Sequence, residues 1–302
     1  MNRVATTQLN SVMMGSLQRT QSLLAAGQAQ LATGKKAQNY SQLGGDAIRA
    51  LSANALLERQ EGYKASAGNT TTTLKFYDAN LSDLEKSMTN LRQKVMDSLG
   101  ISDGRDLAAN IEAAFDDFKT IMNTKVNGRS LFGGSQTDTK PLKPETLSDT
   151  IGLDPADAFA NDQVRGSARV GDDLDVEYGI VASDFAGKFI DAFGALADLG
   201  ELSSPLTDAE RTALFAAVDT LDAGLTDVRT VNGENGRKMA YVEQIGKRAE
   251  DRSMLMTEVI GETENADLGQ VAVDMAQYQL TLEASYSVFA QLNGLSLVNY
   301  LR

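Results

Sequence analysis

From Leu56 to Val95 the seam residues recur in alternating steps of four and three, through Gln60, Tyr63, Ala67, Thr70, Leu74, Tyr77, Leu81, Leu84, Met88 and Leu91, with no slip in phase. Only an α-helix gathers positions three and four apart onto one stripe, and a seam of seven-residue period needs a partner helix along its length. A run from Asp46 to Gly100 makes a helix of about 55 residues, about 80 Å at 1.5 Å per residue. The alternation returns at Leu214, Val218, Leu221, Leu225, Val228, Asn232, Asn235, Met239, Val242, Gly246, Ala249, Ser253, Met256 and Ile260, which predicts the partner helix. Asn232 and Asn235, beside Gly233 and Gly236, interrupt its apolar character; a buried register-fixing amide, a kink and an exposed patch are all compatible with them. A shorter helix is predicted with Leu107, Ile111, Ala114, Phe118 and Ile121 on one face.

Helix breakers are concentrated in the middle. Pro141, Pro144 and Pro155 stand close together and Pro205 follows, so the first 120 and last 95 residues or so contain no proline. Asn127-Gly128 and Gly133-Gly134 signal turns, and Val164–Val170 and Leu174–Ala182 read as short strands. The predicted fold class is mainly α, a long antiparallel helical bundle or coiled coil from both chain ends with a small β-containing central insertion. Three regions are expected: terminal coiled-coil helices over 1–40 and 265–302, a long bundle over 41–130 and 185–264, and a β-containing outer domain over 131–184. The insertion should project from the far end of the bundle, where insertions are tolerated.

The extreme ends form a second pair. Met13, Leu17, Thr20, Leu24, Gly27 and Leu31 make a weak seam; Leu268, Val271, Met275, Tyr278, Leu282, Phe289 and Leu292 make a stronger one. Residues 1–45 contain no Asp or Glu and carry Arg3, Arg19, Lys35 and Lys36, whereas residues 262–302 carry Glu262, Glu264, Asp267, Asp274 and Glu283 against Arg302. The two ends therefore attract. An amphipathic helix at a chain end is marginal alone and needs a partner to bury its stripe, so assembly between subunits is one reading and a filled monomeric bundle the other. The assembly reading assigns interface roles to Leu17, Leu24, Leu31, Leu268, Val271, Met275, Leu282, Phe289, Leu292 and Leu295, each large side chain stabilising by about 1.5 to 3 kcal/mol on full burial.

Chemistry at a site finds little support. The chain has 0 Cys and 0 His, which removes thiolate and imidazole and leaves no disulfide framework. No catalytic, cofactor-binding or metal-binding residue is expected, and the chain is read as not an enzyme. Asp154 with Asp157, and Asp172, Asp173 and Asp175, could offer oxygens to a hard cation, but no EF-hand spacing supports this and solvated turns explain them better. A net charge of -13 argues against nucleic acid. No 18-residue apolar run suggests membrane insertion, and no secretory leader is seen in MNRVATTQLNSVMMGSLQ, so any export is expected to leave the N-terminus uncut.

Several segments resemble the flagellin superfamily over nearly all of both terminal regions. Gln30-Leu31-Ala32-Thr33-Gly34-Lys35-Lys36 followed by Gly45-Asp46-Ala47 is similar to its LSSGKRI…DDAA segment, with Gly45 where the second motif has Asp. Asn123 to Gly134, NTKVNGRSLFGG, resembles the turn closing the first helical pair, and the stretches from Ala266-Asp267-Leu268 through Leu282-Glu283-Ala284-Ser285-Tyr286 to Leu301 resemble its last helix. FGGSQTDTKPL at Phe132–Leu142 and the ending SLVNYLR are closer to the hook-associated junction subunits (FAGSKTDTPPF, SLLDYL) than to filament flagellin. The resemblance implies a non-enzymatic structural subunit of an extracellular bacterial flagellum, joining hook to filament. Terminal helices would be innermost and the insertion outermost. The implied partners are copies of itself in a ring or tube, the first hook-associated protein, flagellin, and a cytoplasmic export chaperone on the last helix, with export through the type III channel. A filament-forming flagellin and a secreted glycan-binding protein on a helical stalk are the alternatives.

Overall fold

The structure, a computed structural model, describes the backbone of residues 2–300 and the side chains of Gln8 and of residues 11–291. Among these the helices are α1 (Asn2–Thr33), α2 (Asp46–Ile101), α3 (Leu107–Met122), α4 (Gly187–Asp198), α5 (Asp208–Glu264) and α6 (Leu268–Tyr300). Two antiparallel hairpins complete the regular elements: β1 (Lys125–Val126) with β2 (Arg129–Ser130), and β3 (Gly166–Gly171) with β4 (Leu174–Tyr178). The architecture is mainly α with a small β-containing insertion, as the periodicity predicts. The chain divides into two compact units, Met1–Arg59 with Arg252–Arg302, and Gln60–Asp251.

In the larger unit the long seams pack as the heptad phase requires. Gln60, Ala67, Thr70, Leu74, Tyr77, Leu81, Leu84, Met88, Leu91 and Val95 of α2 are buried, as are Leu214, Val218, Leu221, Leu225, Val228, Val242 and Ala249 of α5. Asn235 resolves one of the alternatives. It is 2% exposed and its Nδ2 donates to the Leu74 carbonyl at 2.9 Å, while α5 runs on as helix through Gly233 and Gly236.

Phenylalanines gather where α3 and α4 meet this seam. Phe115, Phe118, Phe132, Phe185, Phe189 and Phe193 are fully buried. Phe193 contacts Phe115 and Phe118 with ring centroids 5.4 Å apart in each pair, and Phe118 contacts Phe189 at 6.0 Å. Phe115 and Met122 are buried alongside the predicted α3 face, because α3 is covered on a second side by α4. Gly224 of α5 lets the ring of Phe189 lie against the helix backbone: a Cβ there would stand 2.7 Å from Phe189 Cε1.

The insertion follows local turn chemistry. Asn127 and Gly128 take φ of 53° and 79°, the left-handed pair that a tight hairpin between β1 and β2 demands. β4 stops at Tyr178, short of the predicted Ala182, because Gly179 turns out of the strand at φ 111° and Ala182 opens a 3-10 turn. Val170 and Val176 of the β3–β4 hairpin bury against Ala67, Leu74, Val242 and Ile245.

Candidate assembly surface

The smaller unit is built on the pairing of α1 with α6. Gly34 ends α1 in the left-handed region at φ 69°, with its N–H on the Gln30 carbonyl at 2.8 Å. The chain then pairs with the link between α5 and α6: Ala266 N–H donates to the Gly34 carbonyl at 2.9 Å and Lys36 N–H to the Glu264 carbonyl at 2.7 Å. Here the opposite charges of the two ends meet. Lys35 Nζ lies 3.3 Å from Glu264 Oε2 and 2.8 Å from Asn265 Oδ1; Tyr40 Oη and Asn54 Nδ2 donate to Glu264 Oε1, both at 3.3 Å. The Glu264 carboxylate pushes the Tyr40 phenol above its ordinary pKa, since ionising it would place two negative charges together. Asp267 caps α6 by accepting from the N–H groups of Gly269 at 3.0 Å and Gln270 at 3.1 Å.

Further along, the helices run antiparallel. Gly27 faces Met275 and Val271 so closely that a Cβ would stand 2.8 Å from Met275 Cγ, and Gln21 Nε2 donates to Tyr286 Oη at 2.7 Å. The ten interface candidates divide by exposure. Leu17, Val271 and Leu282 are buried and Leu24, Met275 and Phe289 half-buried, whereas Leu31 and Leu268 are 48% and 46% exposed. The side chains of Leu292 and Leu295 lie outside the described residues. The apolar stripe is thus largely filled within the chain. What stays uncovered is a set that seam reading passed over: Val12, Met14 and Leu23 on α1, and Val273, Leu280, Tyr286 and Val288 on α6. Of the 21 large hydrophobic residues exposed among the described residues, 15 fall in this unit, which is about a third of the chain. Exposed apolar residues concentrated in this way are a feature of surfaces that bind a partner.

Charge is partitioned the same way. Residues 1–59 and 252–302 hold eight Lys and Arg against eight Asp and Glu, net zero, so the whole -13 belongs to residues 60–251, where 20 basic residues face 33 acidic ones. A surface without net charge can approach another of its kind without long-range repulsion.

The acidic sequence candidates other than Asp157 hold local partners through their side chains. Arg169 pairs with Asp173 at 2.8 Å and Asp175 at 3.9 Å, Tyr63 Oη donates to Asp172 at 2.9 Å, and Asp154 accepts from Ala156 N–H at 2.9 Å. Among the described residues no group of three or more His, Cys, Asp or Glu could hold a metal ion, and no described helix is long and apolar enough to cross a membrane. In the FGGSQTD run, Ser135 donates to the Asp162 carboxylate through both its hydroxyl and its N–H, which holds that carboxyl below the usual range. The motif therefore closes a turn.

No protein-family model matches the chain. Flagellar hook-associated protein 3 of Escherichia coli is 24% identical over 301 residues, covering 89% of this chain and 90% of that protein. Its namesake in Salmonella typhimurium is 23% identical over 290 residues with the same coverage. Among solved structures, FlgL of Bacillus cereus matches with a TM-score of 0.58 at 14% identity, covering 70% of this chain and 99% of that one. Over 89% of its length this chain is similar in sequence to flagellar hook-associated protein 3, and over 70% of it the chain shares its fold with a FlgL of known structure.

Proposed function

We infer that this chain is a structural subunit of the bacterial flagellum, on the outside of the cell, joining the hook to the filament. The observation that carries the reading is the mutual coverage of the match to hook-associated protein 3, 89% of this chain against 90% of the relative, because a match over about nine tenths of both chains concerns more than one shared segment. The net-neutral terminal unit with its uncovered apolar residues supports assembly through α1 and α6. In this reading those helices are innermost, the α2–α5 bundle lies outside them, and the β-containing region 131–184 is outermost. Its neighbours are copies of itself, the first hook-associated protein and flagellin, and a cytoplasmic chaperone holds the last helix before export. Export proceeds unfolded and without cleavage; a chain with 0 Cys needs no oxidative step to refold outside. The subunit works by packing and carries no catalytic role.

The test is seeded polymerisation of the purified protein on sheared flagellar fragments. A junction subunit adds a limited cap and then accepts flagellin, and cells lacking it shed flagellin into the medium. Long homopolymers of this chain would instead make it a filament flagellin.

A further inference from the structure

Between α2 and the two hairpins lies an open cavity of about 560 Å³. Its floor is buried and apolar, formed by Leu131, Ile180 and Val181, and Tyr77 beside them spends its hydroxyl on the Leu131 carbonyl at 2.7 Å. Its rim is polar. Asn127, Arg129, Thr137 and Tyr178 border it, and among the described residues none of these four side chains has a hydrogen-bond or ion-pair partner. Gly166 holds the Tyr178 ring at the edge: a Cβ there would stand 3.1 Å from Tyr178 Cζ, so a side chain at that position would push the ring out.

The lining also runs against the charge of its surroundings. Residues 60–251 hold 33 acidic residues against 20 basic ones, yet this cavity is lined by two arginines and no carboxylate. Arg165 spends its charge on Asp184 at 2.9 Å. Arg129 is exposed and keeps its planar fork of donors, which matches a carboxylate, for a ligand.

We propose that this cavity binds an acidic saccharide, with Arg129 on the carboxylate, Asn127, Thr137 and Tyr178 on the sugar hydroxyls, and the apolar floor under the sugar ring. Volume narrows the class: cavities that take small ligands run from about 300 to 1,000 Å³, and a lone inorganic anion would leave this one mostly empty. The donor set narrows it further. Arginine only donates, whereas hydroxyl and amide groups both donate and accept, the combination that a carboxylate beside several hydroxyls requires. An extended peptide gains no ladder on β2, because Ser130 N–H already donates to the Thr137 carbonyl at 2.7 Å. The site lies apart from α1 and α6 and is independent of the assembly role given above.

Saturation-transfer NMR on the full-length protein reads such binding from the ligand side, with D-glucuronate, D-glucose, acetate and the peptide Gly-Glu-Gly as probes. D-glucuronate is expected to bind about tenfold more tightly than each of the others. Arg129→Gln should weaken it by about tenfold and Thr137→Val by about threefold, with the circular dichroism unchanged because neither side chain is buried in the core. Absence of transfer to all four probes overturns the site, as does D-glucuronate binding that Arg129→Gln leaves intact. Acetate or D-glucose binding as well as D-glucuronate, or Gly-Glu-Gly binding better, overturns the acidic saccharide as its ligand. Loss in Arg129→Gln with no change in Thr137→Val reduces the cavity to an anion site and overturns it equally.

Discussion

Three glycines of α5 should respond to the same substitution with opposite signs. Gly233 and Gly236 have no neighbouring atom within 4 Å of the position a Cβ would take. Alanine at either one therefore gains the full helix preference over glycine, about 0.8 to 1 kcal/mol. At Gly224 that preference is the same, but the added carbon would stand 2.7 Å from Phe189 Cε1 and 3.0 Å from both Cδ1 and Cζ. The ring cannot easily yield, because Phe189 is fully buried and packs edge-on against Phe118. Overpacking of a filled core costs about 1 to 3 kcal/mol. Propensity cancels when Gly224→Ala is compared with Gly233→Ala, so the difference in unfolding free energy should itself be about 1 to 3 kcal/mol. Helix circular dichroism followed through urea and thermal unfolding measures it, each kcal/mol moving Tm by about 2 to 4 °C in a unit of this size. Phe189→Leu should largely relieve the Gly224→Ala defect. If Gly224→Ala raises Tm as Gly233→Ala does, the packing of Phe189 on α5 described above is wrong.

Two further outcomes follow from the same geometry. Phe193→Ala removes the ring shared by Phe115 and Phe118 and should destabilise by about 3 to 5 kcal/mol, read as a lower urea midpoint with m unchanged. Glu210 closes a capping box at the start of α5, accepting from Thr207 N–H at 2.6 Å and Ser203 N–H at 2.9 Å, which draws its pKa down to about 2. A depressed carboxyl stabilises the folded state above its unfolded value near 4.5, and that contribution is lost as pH falls toward about 2. The stability difference between wild type and Glu210→Gln should accordingly be constant from neutral pH down to about 4.5 and shrink below it, in acid titrations monitored by circular dichroism.

The long helices were legible because their seams keep one phase: Asp46 opens α2 and Leu74 to Val95 are buried in the order the alternation gives. α4 gives no comparable signal. Its core residues Phe189, Ile190, Phe193 and Leu196 occupy 12 residues between a hairpin and a loop, too short a run for a period to stand out. Phe115 escaped for a related reason, since a helix covered from two sides buries residues off its main stripe. The candidate assembly surface was only half legible. Periodicity identified Leu17, Val271 and Leu282 as seam positions, yet a seam filled by the chain's own helices looks the same in sequence as one filled by a neighbour. Val273 and Leu280 carried the missing signal, as large apolar residues out of phase with the stripe beside them.

Every fully buried phenylalanine belongs to residues 60–251, and among the described residues the terminal unit buries no aromatic ring at all. Aromatic packing thus belongs to residues 60–251, and the described part of the terminal unit is held by aliphatic contacts and hydrogen bonds. Heating or mild denaturant should therefore unfold the terminal unit before residues 60–251. A subunit made this way is ready-made in its middle and is finished by its place in the structure it joins.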